Sequence, residues 1–148
     1  MDTVYTRLSG ANSFAHNIML LETAYTLLLN KAESDVHLEI YRAACIKQFE
    51  VIVSQSLSLL IGYQSVSEAG LITLTAFSAH DTYRSAAILG GPLPITATKR
   101  WINYYKLRSK TIATYELSVI NEILAILPKF IKDSKALAQS LQAGYEDR

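Results

Sequence analysis

Apolar residues recur along this chain at the three-and-four spacing of one helix face, and no stretch shows the strict alternation of a half-buried strand. Phe14, Ile18, Leu21, Tyr25 and Leu28 form the first such stripe. Asn12 and Ser13 precede it, and either side chain can accept from first-turn amides, so the spacing predicts a helix over about 13–31. A second helix is predicted from 36 to about 61, with Leu38, Tyr41, Cys45, Phe49 and Ile52 on one stripe and Gly62 as its stop. Its second half is apolar on more than one side. Such a helix needs several covering neighbours, which puts it at the centre of a bundle and also at a subunit interface.

The remaining elements are set by breakers and caps. Gly70 and the β-branched Ile72, Thr73 and Thr75 disfavour helix between 63 and 77, which reads as a connection with at most one helical turn. Ser78-Ala79-His80-Asp81 resembles a capping box with a shorter acid, and Gly90-Gly91-Pro92 closes a third helix of about 79–89. Thr96 or Thr98 can cap a fourth helix through Trp101, Tyr104, Tyr105 and Leu107. Thr114, followed by Glu116, can cap a fifth, so position 113 falls at a junction between helices. Leu117, Ile120, Leu124, Leu127 and Ile131 continue the fifth helix to about 141. Pro128 removes one backbone donor there, which bends the helix without ending it. The predicted architecture is all-α: an up-and-down bundle of about five helices, the last kinked at Pro128, in a single helical domain spanning 1–148.

Composition narrows the class. Half of the 148 residues are hydrophobic, enough for a core without staples, and Cys45 as the single cysteine rules out an intrachain disulfide. The stretch from Val51 to Ile61 is about half the length of a membrane span. Ser54, Gln55, Ser56 and Ser58 interrupt it, so it reads as a core helix, with no membrane partner. The start, Met1-Asp2-Thr3, has no basic region followed by an apolar one, and a reducing cytoplasm is the expected location. A net charge of +1 gives no global attraction to nucleic acid, so any such binding must be local.

One local concentration exists. Lys99, Arg100, Lys106, Arg108 and Lys110 stand close together with no acidic residue between Asp81 and Glu116, and Trp101, Tyr104 and Tyr105 are interleaved. Cations beside stackable rings suit single-stranded RNA. The competing reading is a solvated basic face over aromatic core anchors, because helical spacing alone produces such alternation. His16, His37 and His80 lie on separate helices without ligand partners at metal spacing, so no metal or other cofactor is expected. Glu50 sits mid-helix in apolar surroundings, where a carboxylate either serves a site or pairs with a neighbouring cation. Phosphate loops, nucleophile elbows and paired-carboxylate motifs are missing.

The order of residues adds more than their composition. Arg108-Ser109-Lys110-Thr111-Ile112-Ala113-Thr114-Tyr115 resembles the signature of HEPN-domain proteins: arginine, a polar residue, three further positions, histidine, one residue and tyrosine. Ile46-Lys47-Gln48-Phe49-Glu50 is similar to a stretch on the second helix of that family, and 78–93, with Tyr83-Arg84 and Gly90, is similar to its third helix and following turn. The similarity covers roughly 13–141 and is greatest to the branch described as the substrate-binding partner of minimal nucleotidyltransferases. The resemblance implies a homodimer whose two motifs face each other as one metal-independent ribonuclease site, acting as the toxin of a toxin–antitoxin pair. It also implies a minimal nucleotidyltransferase antitoxin that adds AMP to Tyr115, a bulky negative charge that would block RNA.

In such a site the histidine moves a proton at the ribose 2′-hydroxyl or the leaving oxygen, and Arg108 stabilises charge on the phosphate. An unbroken helix would set Arg108 and position 113 about 140° apart, and a break near Thr114 lets both reach one cleft. A helix starting there would also offer free backbone donors to an anion. Ala113 stands where the histidine is expected and cannot carry a proton, so this chain is expected to be catalytically crippled, and whether it is an enzyme stays open. The alanine is either natural, in a member that has drifted to pure binding, or an engineered change that lets a toxic protein be produced. The intact remainder of the motif favours engineering. Lys99, Arg100, Lys106, Ser109 and Lys110 are the further candidate RNA contacts. A non-enzymatic subunit that presents a substrate to the transferase is the alternative function.

Overall fold

The computed structural model describes residues 3–30, 35–67, 78–88, 91–113 and 116–146. Five helices follow one another: α1 (Thr3–Asn30), α2 (Asp35–Ser67), α3 (Ala79–Ala86), α4 (Ile95–Ala113) and α5 (Leu117–Glu146). Among the described residues there is no strand, and each helix packs against the next while α5 closes back on α1. The result is the all-α bundle that the periodicity predicts.

The expected stripes face inward. Phe14, Ile18 and Leu21 of α1, Cys45, Phe49 and Ile52 of α2, and Ile120, Leu127 and Ile131 of α5 are buried in one contiguous core. Packing α2 against all four other helices explains why its second half is apolar on more than one side: Ile52, Val53 and Leu60 are covered from different directions. The stretch Val36–Tyr63 within α2 is long and apolar enough to cross a membrane by length and composition. Two of its polar residues bond to neighbouring helices: Gln55 accepts from Asn17 at 2.9 Å and donates to Ser13 at 3.2 Å, and Ser56 meets Tyr83 at 2.8 Å.

Helix ends depart from the sequence reading more than helix faces do. The first helix begins at Thr3, ten residues before the expected start, and Ser13 is an inter-helix acceptor, not a cap. Gly10 lies inside α1 because α2 passes close by: a Cβ there would come within 3.1 Å of the Leu59 side chain. Gly62 does not stop α2, which runs to Ser67; a mid-helix glycine costs only about 1 kcal/mol, and buried Leu60 just before it anchors the turn. The expected connection at 63–77 is thus helical to Ser67, and 68–77 lie outside the described residues.

Ser78 caps α3 as predicted, accepting from the Asp81 amide at 3.1 Å. That helix ends at Ala86, three residues early, because the chain folds back over its end: the Leu93 amide donates to the Ala86 carbonyl at 3.3 Å, and an added Cβ on Gly91 would collide with that carbonyl. Only glycine fits this crossing. Leu89 and Gly90 lie outside the described residues. Neither Thr96 nor Thr98 caps α4; the Pro94 carbonyl takes the first amide, from Ala97 at 2.9 Å, and the Thr98 hydroxyl donates back to it at 3.4 Å. Likewise the Glu116 carbonyl accepts from Val119 and Ile120, both at 3.1 Å, so α5 starts after Glu116, while Thr114 lies outside the described residues. Pro128 is accommodated within α5 on its exposed side.

Candidate functional site

Four aromatic rings lock α3, α4 and α5 together and fix what each face of α4 presents. Trp101 is fully buried, stacked on Tyr83 with centroids 5.8 Å apart and set against Tyr104 at 5.3 Å and Phe130 at 5.6 Å. Tyr104 is also buried and donates its hydroxyl to Asp133 at 2.7 Å. Neither ring is available to stack on a base, which decides between the two readings of the aromatic interleaving: Trp101 and Tyr104 are core anchors.

The basic residues of α4 divide between its faces. At about 100° per residue, Lys99, Lys106 and Lys110 fall within roughly 40° of one another, and Arg108 lies roughly 160–180° away on the side of Trp101. Lys99, Lys106 and Lys110 are exposed accordingly, and Lys110 approaches Glu122 at 3.8 Å. Ser109 is exposed and returns its hydroxyl to the Tyr105 carbonyl at 3.0 Å. The structure therefore does not gather the five predicted cations into one patch.

Arg100 is committed elsewhere. Its Nε and Nη2 donate to the two oxygens of Asp133 at 2.7 and 2.9 Å, and Nη1 donates to the Thr96 carbonyl at 3.1 Å, so it is not free for the RNA contact expected of it. Burial alone would raise the Asp133 carboxyl, but the bonds from Arg100 and Tyr104 and the Arg100 charge outweigh it and hold the group below the ordinary carboxylate range. This network staples α4 to α5. Sequence reading missed it because Asp133 lies 33 residues from Arg100.

Arg108, like Arg42 on α2, has a buried Nε without a hydrogen-bond partner among the described residues. Arg108 is half-buried on the inner side of α4, and no described carboxylate pairs with it. A buried guanidinium nitrogen without a partner carries a desolvation cost. The Arg108 charge acts on the Tyr83 hydroxyl. Ser56 on α2 gives its proton to the Val53 carbonyl at 2.6 Å, so Tyr83 is the donor in the 2.8 Å bond between the two. Burial holds the Tyr83 hydroxyl well above the ordinary tyrosine range; the bond to Ser56 opposes that, Tyr105 adds to it and Arg108 opposes it. Tyr105 and Arg108 thus both act on the same hydroxyl. Across from Tyr105 stands His80, their rings edge to face at 6.3 Å.

Position 113 is the last residue of α4, so the expected junction between helices is present in the backbone. Tyr115 lies outside the described residues. Glu50 is half-buried on α2 and meets no described cation. His16 is exposed on α1, His37 is exposed on α2 against Tyr41, and among the described residues no group of three potential ligands could hold a metal. No family model matches this sequence, and no curated protein is significantly similar to it.

Proposed function

We propose that this chain is an RNA-directed toxin subunit of the HEPN type, cytoplasmic and homodimeric, held in check by a minimal nucleotidyltransferase. The observation that supports this best is Arg108, half-buried on the inner side of α4 near the Tyr83 hydroxyl, its Nε without a partner and no carboxylate on it among the described residues. A phosphodiester supplies the missing negative charge, and the planar donor fork of arginine suits phosphate oxygens.

In the complete motif, a histidine at position 113 takes the 2′-hydroxyl proton, the 2′-oxygen bonds to phosphorus as the bond to the 5′-oxygen breaks, and the imidazolium returns that proton to the leaving 5′-oxygen. Arg108 stabilises the charge on the phosphoryl oxygens throughout. This route uses no metal. With Ala113 the proton carrier is missing, a loss of ~10²- to 10⁴-fold in rate, so the chain as it stands binds RNA without efficient cleavage. Transfer of AMP to Tyr115 would add negative charge and bulk to the motif and exclude RNA.

The missing proton carrier also favours a second reading, in which the chain is a binding subunit that presents a substrate to the transferase. Ala113→His separates the two. The toxin reading expects the variant to cleave single-stranded RNA and slow host growth, and Arg108→Ala in the same background to abolish both. An Ala113→His protein that folds but neither cleaves nor slows growth refutes it.

A further inference from the structure

From Val36 to Ile61 the outward residues of α2 recur in alternating steps of four and three, the spacing of a coiled-coil seam. The bundle leaves this stripe uncovered: Val36 is 64%, Ile40 56% and Ile61 40% exposed. Ser56, which meets Tyr83 of α3, lies two residues past Ser54 of the stripe and so roughly 160° round the helix from it.

The stripe is complementary to itself. Turned antiparallel about a twofold axis between Gln48 and Phe49, two copies of α2 set Val36 against Ile61, Ile40 against Leu57, Ala43 against Ser54 and Lys47 against Glu50. Apolar meets apolar, small meets small and cation meets anion, and each pair forms twice, as a twofold contact requires. Lys47 is exposed, Glu50 is half-buried, and neither is in an ion pair among the described residues. The first helix widens this face. It runs antiparallel beside α2, since Gly10 lies at Leu59 and both Ser13 and Asn17 bond to Gln55. Leu20 and Leu27 follow Ser13 at seven-residue steps along the side that borders α2, and both are exposed. Glu22, the single Asp, Glu, Lys or Arg between Asn12 and Asn30, bonds to Lys135 on α5 at 2.6 Å. The seam is about 38 Å long; at a width of about 15 Å, one helix and the edge of its neighbour, two copies bury roughly 1,100 Å² in total, above the ~1,000 Å² that a specific interface needs.

We propose that this face binds a second copy of the chain, α2 against α2, as an antiparallel coiled-coil pair. The pairing gives the homodimer of the reading above a surface and a symmetry, and rests on that part of the reading. Because the seam lies on the side of α2 away from Tyr83, each copy keeps its own Arg108 far from the twofold axis, in place of the facing motifs that the resemblance implies.

Sedimentation equilibrium across a dilution series tests the pairing. The native chain should form dimers. Ile40→Asp and Lys47→Glu, at exposed positions outside the core, should each weaken self-association at least about tenfold. Lys47→Glu combined with Glu50→Lys should restore it, because the antiparallel register pairs the exchanged charges again, and a native-like Trp101 emission verifies the fold of each variant. A monomeric native chain overturns both the seam and the homodimer. A dimer indifferent to Ile40→Asp and Lys47→Glu, or one weakened by Lys47→Glu and not restored in the double variant, overturns the seam and leaves the homodimer standing.

Discussion

Asp133→Ala is the perturbation with the most to reveal about how α4 is held. The Asp133 side chain is 7% exposed and accepts bonds of 2.7, 2.9 and 2.7 Å from Arg100 and Tyr104. Removing one partner of a fully buried ion pair costs about 3–5 kcal/mol. The Arg100 side chain is 36% exposed and can turn toward water, which leaves roughly 2–3 kcal/mol for its lost partner and the orphaned Tyr104 hydroxyl together. For a chain of this size that is a fall of roughly 4–12 °C in Tm. Trp101, the single tryptophan and fully buried, reports urea unfolding by its emission. Arg100→Met should cost a similar amount, and Arg100→Met with Asp133→Leu should cost less than the sum of the single changes by about 1 kcal/mol or more. Single losses below about 0.5 kcal/mol, or strict additivity, would refute the network as a staple.

Further outcomes follow from the same geometry. Because the folded Asp133 carboxyl titrates below its unfolded value, its contribution is present above the ordinary carboxylate range and lost as pH falls through the folded value; Asp133→Asn should flatten the acid limb of a stability profile between about pH 5 and 2. Gly91→Ala should destabilise by about 1–3 kcal/mol or more in urea melts, since its Cβ has no room beside the Ala86 carbonyl. Burial pushes the Cys45 thiol up to about 11, so a disulfide reagent should label native protein slowly and only in step with urea unfolding; rapid native labelling would contradict the buried position.

The faces of the helices were readable in the sequence because burial imposes the period: Phe14, Ile18 and Leu21, or Cys45, Phe49 and Ile52, each fall on one side and are buried. Helix ends were less readable, since the burial of Leu60 carries α2 past Gly62, and backbone carbonyls of Pro94 and Glu116 start helices where threonine side chains were expected to. The basic cluster misled for a geometric reason. Neighbours in sequence are separated by the helical turn, so Lys99 and Lys106 face outward, Arg100 is bound to a partner 33 residues away, and Arg108 turns inward.

We propose that RNA is received at Arg108 on the inner side of α4, and not at its outer lysine face. Anisotropy titration of single-stranded RNA across a salt series compares the native chain with Arg108→Ala and with the double variant Lys99→Ala, Lys106→Ala. Binding should weaken with salt, with a loss of at least about tenfold for Arg108→Ala and a smaller, salt-sensitive loss for the lysine pair. Undiminished binding by Arg108→Ala, with the loss confined to the lysine variant, would contradict it.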